Sequence, residues 1–208
     1  LVLAQTCSLP FRLGLHECTR VVGAFDYGLE GCAPGHYRSA VVVRADEPRA
    51  RLSGFDRARF ALNSVTSQSG WAALADLMQI TGLRAGEFFV SGGHAASARA
   101  VAEGLADIAA IDAVTWRLLT RHEPDLAGRL RVLLLTQPGP GLPLVTAATR
   151  DADALADAVE RAVAGIPADV AETLSLRGFA RIPAEDYLSL PLPPDPDALR
   201  ADAGNLLA

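Results

Sequence analysis

Short apolar runs alternate with longer amphipathic stretches along this chain, and the alternation predicts an α/β fold built on a mostly parallel sheet. Two observations carry the prediction. Runs such as 39–44, 87–90, 108–111 and 131–135 are rich in Val, Ile, Leu and Phe but too short for helices. Between them lie segments with apolar residues at helical spacing, as in Leu74, Leu77, Met78 and Thr81. Ser67, His94 and Asp112 then fall just after strands or at helix starts, where ligands sit in such folds.

In chain order, 1–4 reads as a short buried strand running into the polar loop Gln5-Thr6-Cys7-Ser8. A second strand covers 20–24, and the Gly-rich stretch 26–38 is a structured loop. Ser39 to Arg44 is a Val-rich strand, and 45–56, with Pro48 and Gly54, is a crossover. Residues 60–63 form a strand feeding a serine-rich loop. Helices follow at 71–81, stopped by Gly82, and at 94–103, ended by Gly104. The strand 108–111 delivers Asp112 to a helix over 113–122. Strands at 131–135 and 142–146 flank Gln-Pro-Gly-Pro-Gly. The helix over 151–164 starts on acidic residues, as its dipole prefers. A further helix covers 168–176, and the Pro-rich tail from Leu190 is extended. The organisation expected is a first lobe from 1–45 and 142–208, a second lobe from 55–135, and hinge crossovers at 46–54 and 136–141, with a cleft between the lobes.

The chain has 208 residues and a hydrophobic fraction of 50%, enough for a full core. A net charge of −5 argues against a nucleic-acid partner, which needs a basic face. All 19 basic residues are Arg, a residue suited to bidentate oxyanion pairing. No run approaches the roughly 18 apolar residues of a membrane span. The chain opens in a strand-like run without Met, as though inside a fold, so compartment cannot be read from its start. Cys7, Cys18 and Cys32 fit no zinc spacing. One disulfide, with Cys7–Cys32 as the pair, and three reduced thiols are both open.

The stretch from Asn63 to Gly70, Asn-Ser-Val-Thr-Ser-Gln-Ser-Gly, is the most informative. It places hydroxyls at a helix start, where unpaired amides and the helix dipole favour an anion. Ser67 and Ser69 can each cap the helix or donate to a ligand. Ser91-Gly-Gly-His-Ala-Ala-Ser97 repeats the arrangement with a histidine. His94 is read as a ligand hydrogen-bond donor against a structural histidine. Asp112 is read as an acceptor for a protonated ligand oxygen or for His94, against a helix cap. Tyr37, Gln5 and Thr6 are candidate contacts from the first lobe. No G-x-S-x-G elbow accompanies the serines, so catalysis is not expected.

These motifs together resemble a known family. Ser-Gln-Ser-Gly at 67–70, the string from Gly92 to Asp112 and Pro-Gly-Leu-Pro at 140–143 are similar to phosphate/phosphonate-type substrate-binding proteins of ABC transporters. The front segments Gln5-Thr6-Cys7, Gly31-Cys32 and Tyr37-Arg38-Ser39 fit the same family. The resemblance implies a two-lobed type II periplasmic binding protein fold, whose first lobe here lacks an N-terminal strand–helix unit. It implies a small oxyanion held by Ser67, Gln68, Ser69, His94, Asp112, Tyr37, Gln5 and Thr6. It also implies no cofactor, no metal, a periplasmic monomer and delivery to a membrane permease. Gln68 stands where phosphonate binders commonly carry Thr, which bears on the identity of the anion. A ligand-sensing domain of a signalling protein, or an enzyme on the same scaffold, is the other reading.

Overall fold

The computed structural model describes residues 1–201, and its chain folds as two units. Unit 1 comprises Leu1–Tyr37 and Pro138–Leu192, and unit 2 comprises Arg38–Gln137 and the segment from Pro193. The chain therefore passes between units after Tyr37, after Gln137 and after Leu192.

Unit 1 is an antiparallel sheet with helices. Elements are numbered in chain order: β1 (Ala4–Gln5), α1 (Ser8–Leu13), β2 (Thr19–Asp26), β3 (His36–Tyr37), then β9 (Gly139–Pro140), β10 (Pro143–Ala147), α6 (Ala152–Ala164), α7 (Ala168–Thr173), β11 (Gly178–Ala180) and α8 (Ala184–Leu188). The four-stranded order is β1-β10-β2-β11, and β3 pairs with β9 in a separate ribbon. Phe11, Ala24, Val145, Ile182 and Tyr187 form one core cluster. Val22, Leu144 and Ala156 form another, with α6 residues Leu155 and Val159 packed on it.

Unit 2 holds β4 (Ser39–Arg44), β5 (Arg59–Leu62), α2 (Ala73–Thr81), β6 (Glu87–Val90), α3 (His94–Ala102), β7 (Ile108–Asp112), α4 (Ala113–His122), α5 (Pro124–Gly128) and β8 (Leu130–Leu135). Its five strands run β6-β5-β7-β4-β8. β5 is parallel to both β6 and β7. β4 is antiparallel to β7 and β8. Ala40, Val42, Ala61, Ala109 and Ile111 face Ala98, Val101 and Leu119 on one side of the sheet. Phe60, Leu62, Ile108, Trp71, Leu74 and Met78 are also fully or almost fully buried. Burial on both faces explains why β4 and β7 read as unbroken apolar runs.

Several expectations need correction. The sheets are mixed or antiparallel; among the named strands of the described residues, β5–β6 and β5–β7 pair in parallel. Strand β4 belongs to unit 2, because its ladder partners are β7 and β8, so the boundary falls after Tyr37 rather than within 46–54. The tail from Pro193 also belongs to unit 2. Trp71 Nε1 donates to the Pro194 carbonyl at 3.1 Å, and Ala85 exchanges backbone bonds with Leu199 and Ala201. That tail is not wholly extended, for Pro196–Leu199 makes a 3-10 turn. Helices α1, α5 and α8 and strand β11 were not foreseen. Each is six residues or fewer, too short to show a period.

An ion-pair network around buried Glu47 ties this part of unit 2 together. Glu47 accepts from Arg49 Nε and Nη2, both at 2.7 Å, while Arg59 grips Asp107 through two nitrogens. Arg131 donates to the Glu47 and Arg49 carbonyls. The hydrogen bond from Arg49 holds the Glu47 carboxyl down at about 2, against an ordinary 4.5 and against the cost of its burial. The stability contributed by ionised Glu47 is therefore present above 4.5 and lost as pH falls towards 2. Glu47→Gln should cost about 1–3 kcal/mol at neutral pH and flatten the acid limb of the stability curve. Urea unfolding between neutral pH and pH 2 measures both.

Candidate functional site

Three strands of unit 2 end side by side, and each runs into a helix. In the parallel register, Leu62 lies opposite Val90 and Phe60 opposite Ile108. The polar residues that follow these strands are therefore delivered to one edge of the sheet.

After β5, Ser64 and Thr66 bond through their hydroxyls at 2.9 Å and shape the loop. Ser67 then caps the next helix, its Oγ accepting from Gly70 N at 3.0 Å. The first turn is widened. Residues 68–72 make a π-helical turn, and the Ser67 carbonyl accepts from both Trp71 N and Ala72 N. Such turns recur at functional sites. Ser69 is held within this turn, its carbonyl accepting from Ser39 Oγ at 2.9 Å. Gly70 is required by a close approach, because a Cβ there would lie 1.8 Å from Asn63 Oδ1.

After β6, Ser91 Oγ bonds with Ser97 Oγ at 2.7 Å and contacts the Leu62 and Gly93 carbonyls. This closes the loop onto α3, whose N-cap is Gly93. A glycine has no side chain to cap with, so the first amides of α3 keep their donor capacity. His94 opens the helix, with Nε2 2.8 Å from Ser69 Oγ and 3.4 Å from Asn63 Nδ2. After β7, Asp112 caps α4, Oδ1 accepting from Thr115 N at 2.9 Å. Its other oxygen, Oδ2, is buried without a hydrogen-bond partner.

Burial works against charge in this cluster. Burial pushes the His94 ring below its ordinary value, with the Asp112 charge opposing. Burial likewise pushes the Asp112 carboxyl up, with the Thr115 amide and His94 opposing. Both shifts favour uncharged forms. What the cluster offers is hydroxyls, a ring nitrogen, an unused carboxyl oxygen and helix-start amides, the donor and acceptor set that suits a partly protonated oxyanion. Among the described residues no group of three His, Cys, Asp or Glu is placed to hold a metal ion.

The structure thus brings Ser67, Gln68, Ser69, His94 and Asp112 into one unit, with Ser69 and His94 in direct contact. The capping roles weighed for Ser67 and Asp112 are present in both residues. Gln5, Thr6 and Tyr37 belong to the other unit. Gln5 is exposed at the end of β1, Thr6 N donates to the Pro143 carbonyl at 3.0 Å, and Tyr37 is buried beside β9. None of Cys7, Cys18 and Cys32 is in a disulfide, so the Cys7–Cys32 bridge is not formed. Cys7 is fixed as the N-cap of α1, while Cys32 sits in a turn closed by its own amide on Leu29. Two site side chains escaped sequence reasoning, Asn63 and Ser39. The signal for Asn63 was a polar residue at a strand end seven positions before the glycine that makes room for it.

The phosphonate-type periplasmic substrate-binding protein of ABC transporters matches residues 24–187, and the chain belongs to this family. Its fold is that of the type II periplasmic binding proteins. PhnD1 from Prochlorococcus marinus, solved with methylphosphonate, aligns with a TM-score of 0.72 at 16% identity over 91% of this chain and 75% of that one. XAC2383 from Xanthomonas citri, solved with chloride, gives 0.71 at 16% identity over 91% and 74%. A binding-protein component of an ABC phosphonate transporter from Pseudomonas aeruginosa gives 0.69 at 17% identity over 90% and 65%. At these identities the likeness establishes the shared fold. No curated protein matches the chain significantly. Among the described residues no helix is long and apolar enough to cross a membrane.

Because Asn63 Oδ1 fills the space beside Gly70, Gly70→Ala should destabilise the unit by about 1–3 kcal/mol through overpacking. Thermal unfolding checks this, and an unchanged midpoint would contradict the tight packing of this turn.

Proposed function

We propose that the protein captures a small oxyanion of the phosphonate or phosphate class at the Ser67–Ser69, His94 and Asp112 cluster. It then passes the ligand to an ABC-transporter permease from the periplasmic side, acting as a monomer without a cofactor. One observation carries the reading: three helix starts meet at the ends of adjacent parallel strands, and there Ser69 Oγ lies 2.8 Å from His94 Nε2. Fixed hydroxyls and amides bind an anion without further reorganisation, because their orientation is already set by the fold. The unused Asp112 Oδ2 accepts the proton of a ligand P–OH group, which favours a monoanion over a fully ionised one. Nothing in the cluster provides a nucleophile paired with a separate oxyanion hole, so capture and release is the chemistry supported.

Isothermal titration with methylphosphonate, phosphite, phosphate and sulfate tests the reading. Ser69→Ala and His94→Ala should each weaken the best ligand by roughly 1–3 kcal/mol, while ligand-free thermal stability changes little. Affinity that survives both substitutions would place the site elsewhere. Gln68 replaces a hydroxyl donor with a carboxamide, so Gln68→Thr should change the order in which these anions bind. The same titration with variants at Gln5, Thr6 and Tyr37 tests the ligand contacts expected of those residues.

A further inference from the structure

Asn63 is the residue of this cluster that neither the capping motifs nor the serine motif accounts for. Its carboxamide is wedged between two groups. On one side Oδ1 occupies the volume that any side chain on Gly70 would need, 1.8 Å from the position of a Cβ. On the other side Nδ2 sits 3.4 Å from His94 Nε2. Oδ1 is buried and has no hydrogen-bond partner, so the orientation is held at a cost.

That orientation matters because of what surrounds the imidazole. Ser69 Oγ, 2.8 Å from Nε2, can donate or accept and so serves either tautomer. Nδ1 is buried and meets no acceptor at full hydrogen-bond geometry, although the Asp112 charge and the Ala110 carbonyl both help hold a proton on the ring. Among the described residues, Asn63 Nδ2 is a group at Nε2 that can donate and cannot accept. A donor there requires a lone pair on Nε2 and leaves the proton on Nδ1.

We propose that Asn63 is a positioning residue that holds His94 as the Nδ1–H tautomer and thereby sets the direction of the Ser69 hydroxyl. The proposal rests on the oxyanion reading for its functional meaning. With a lone pair on Nε2, Ser69 at 2.8 Å donates its proton to the ring, sharing that single lone pair with the more distant Asn63 amide at 3.4 Å, and turns its own lone pairs to the ligand. Ser69 then accepts from a P–OH group, as Asp112 Oδ2 does, and the cluster selects the hydrogen-bearing oxyanion. Were the proton on Nε2, the ring would donate to Ser69, and the hydroxyl would instead donate to an ionised oxygen.

The test is side-chain nitrogen NMR of the ligand-free protein, with His94 assigned by the signals lost in His94→Gln. Wild type should show Nε2 unprotonated and Nδ1 protonated. Asn63→Asp, which presents only acceptors, should protonate Nε2. Asn63→Leu keeps the bulk without the donor and should populate both tautomers. A merely structural Asn63 would change the melting point and leave the ring proton in place. The proposal is overturned if Nε2 is protonated in wild type, or if the proton does not move in either variant. Movement of the proton in a protein that binds none of the four oxyanions upholds the role of Asn63 and overturns only the functional reading.

Discussion

Parallel pairing of β6, β5 and β7 is the constraint on which the candidate site depends. Strands that run in the same direction must end at the same edge, and a chain leaving that edge must return across a face of the sheet, here as helices. Three helix starts are thereby forced together. The sheet register, Leu62 against Val90 and Phe60 against Ile108, fixes their relative height. Ser67, His94 and Asp112 are neighbours because hydrophobic pairing behind them leaves no alternative.

Those polar groups are then partly satisfied and partly not. The Ser91–Ser97 bond, the Ser67 cap and the Ser39–Ser69 contact lock the loops and leave the Ser69 hydroxyl against His94. The π-helical turn at 68–72 does similar work, since it lets one carbonyl, Ser67, take two amides and so carries Ser69 to His94. Against this, Asn63 Oδ1, His94 Nδ1 and Asp112 Oδ2 are buried without partners. Unpaired buried groups weaken a fold. Their concentration around one histidine is what a binding site retains and a structural core removes. Burial lowers the His94 ring and raises the Asp112 carboxyl from their ordinary values, each opposed by the other group.

Much of this was legible in the sequence, and for physical reasons. The strands 39–44 and 87–90 and the helix 113–122 were bounded correctly, because each is a clean apolar run or period between polar breaks. Ser67, Ser69, His94 and Asp112 stood out because capping residues at strand-to-helix transitions are local signals. What could not be read was long-range. Strand β4 looks the same whichever sheet it joins, and only its ladder with β7 and β8 assigns it to unit 2. Asn63 and Ser39 act through residues far along the chain, on His94 and Ser69, which no local pattern encodes. The antiparallel sheet of unit 1 was missed for a related reason, since a three-residue strand such as β11 shows no alternation.

The most direct measurement is a crystal structure of the protein grown with methylphosphonate. Phosphonate oxygens should lie within hydrogen-bonding distance of Ser69 Oγ and the first amides of α3, with one oxygen beside Asp112 Oδ2. A phosphonate bound away from Ser69, His94 and Asp112, with those side chains unchanged, would contradict this placement.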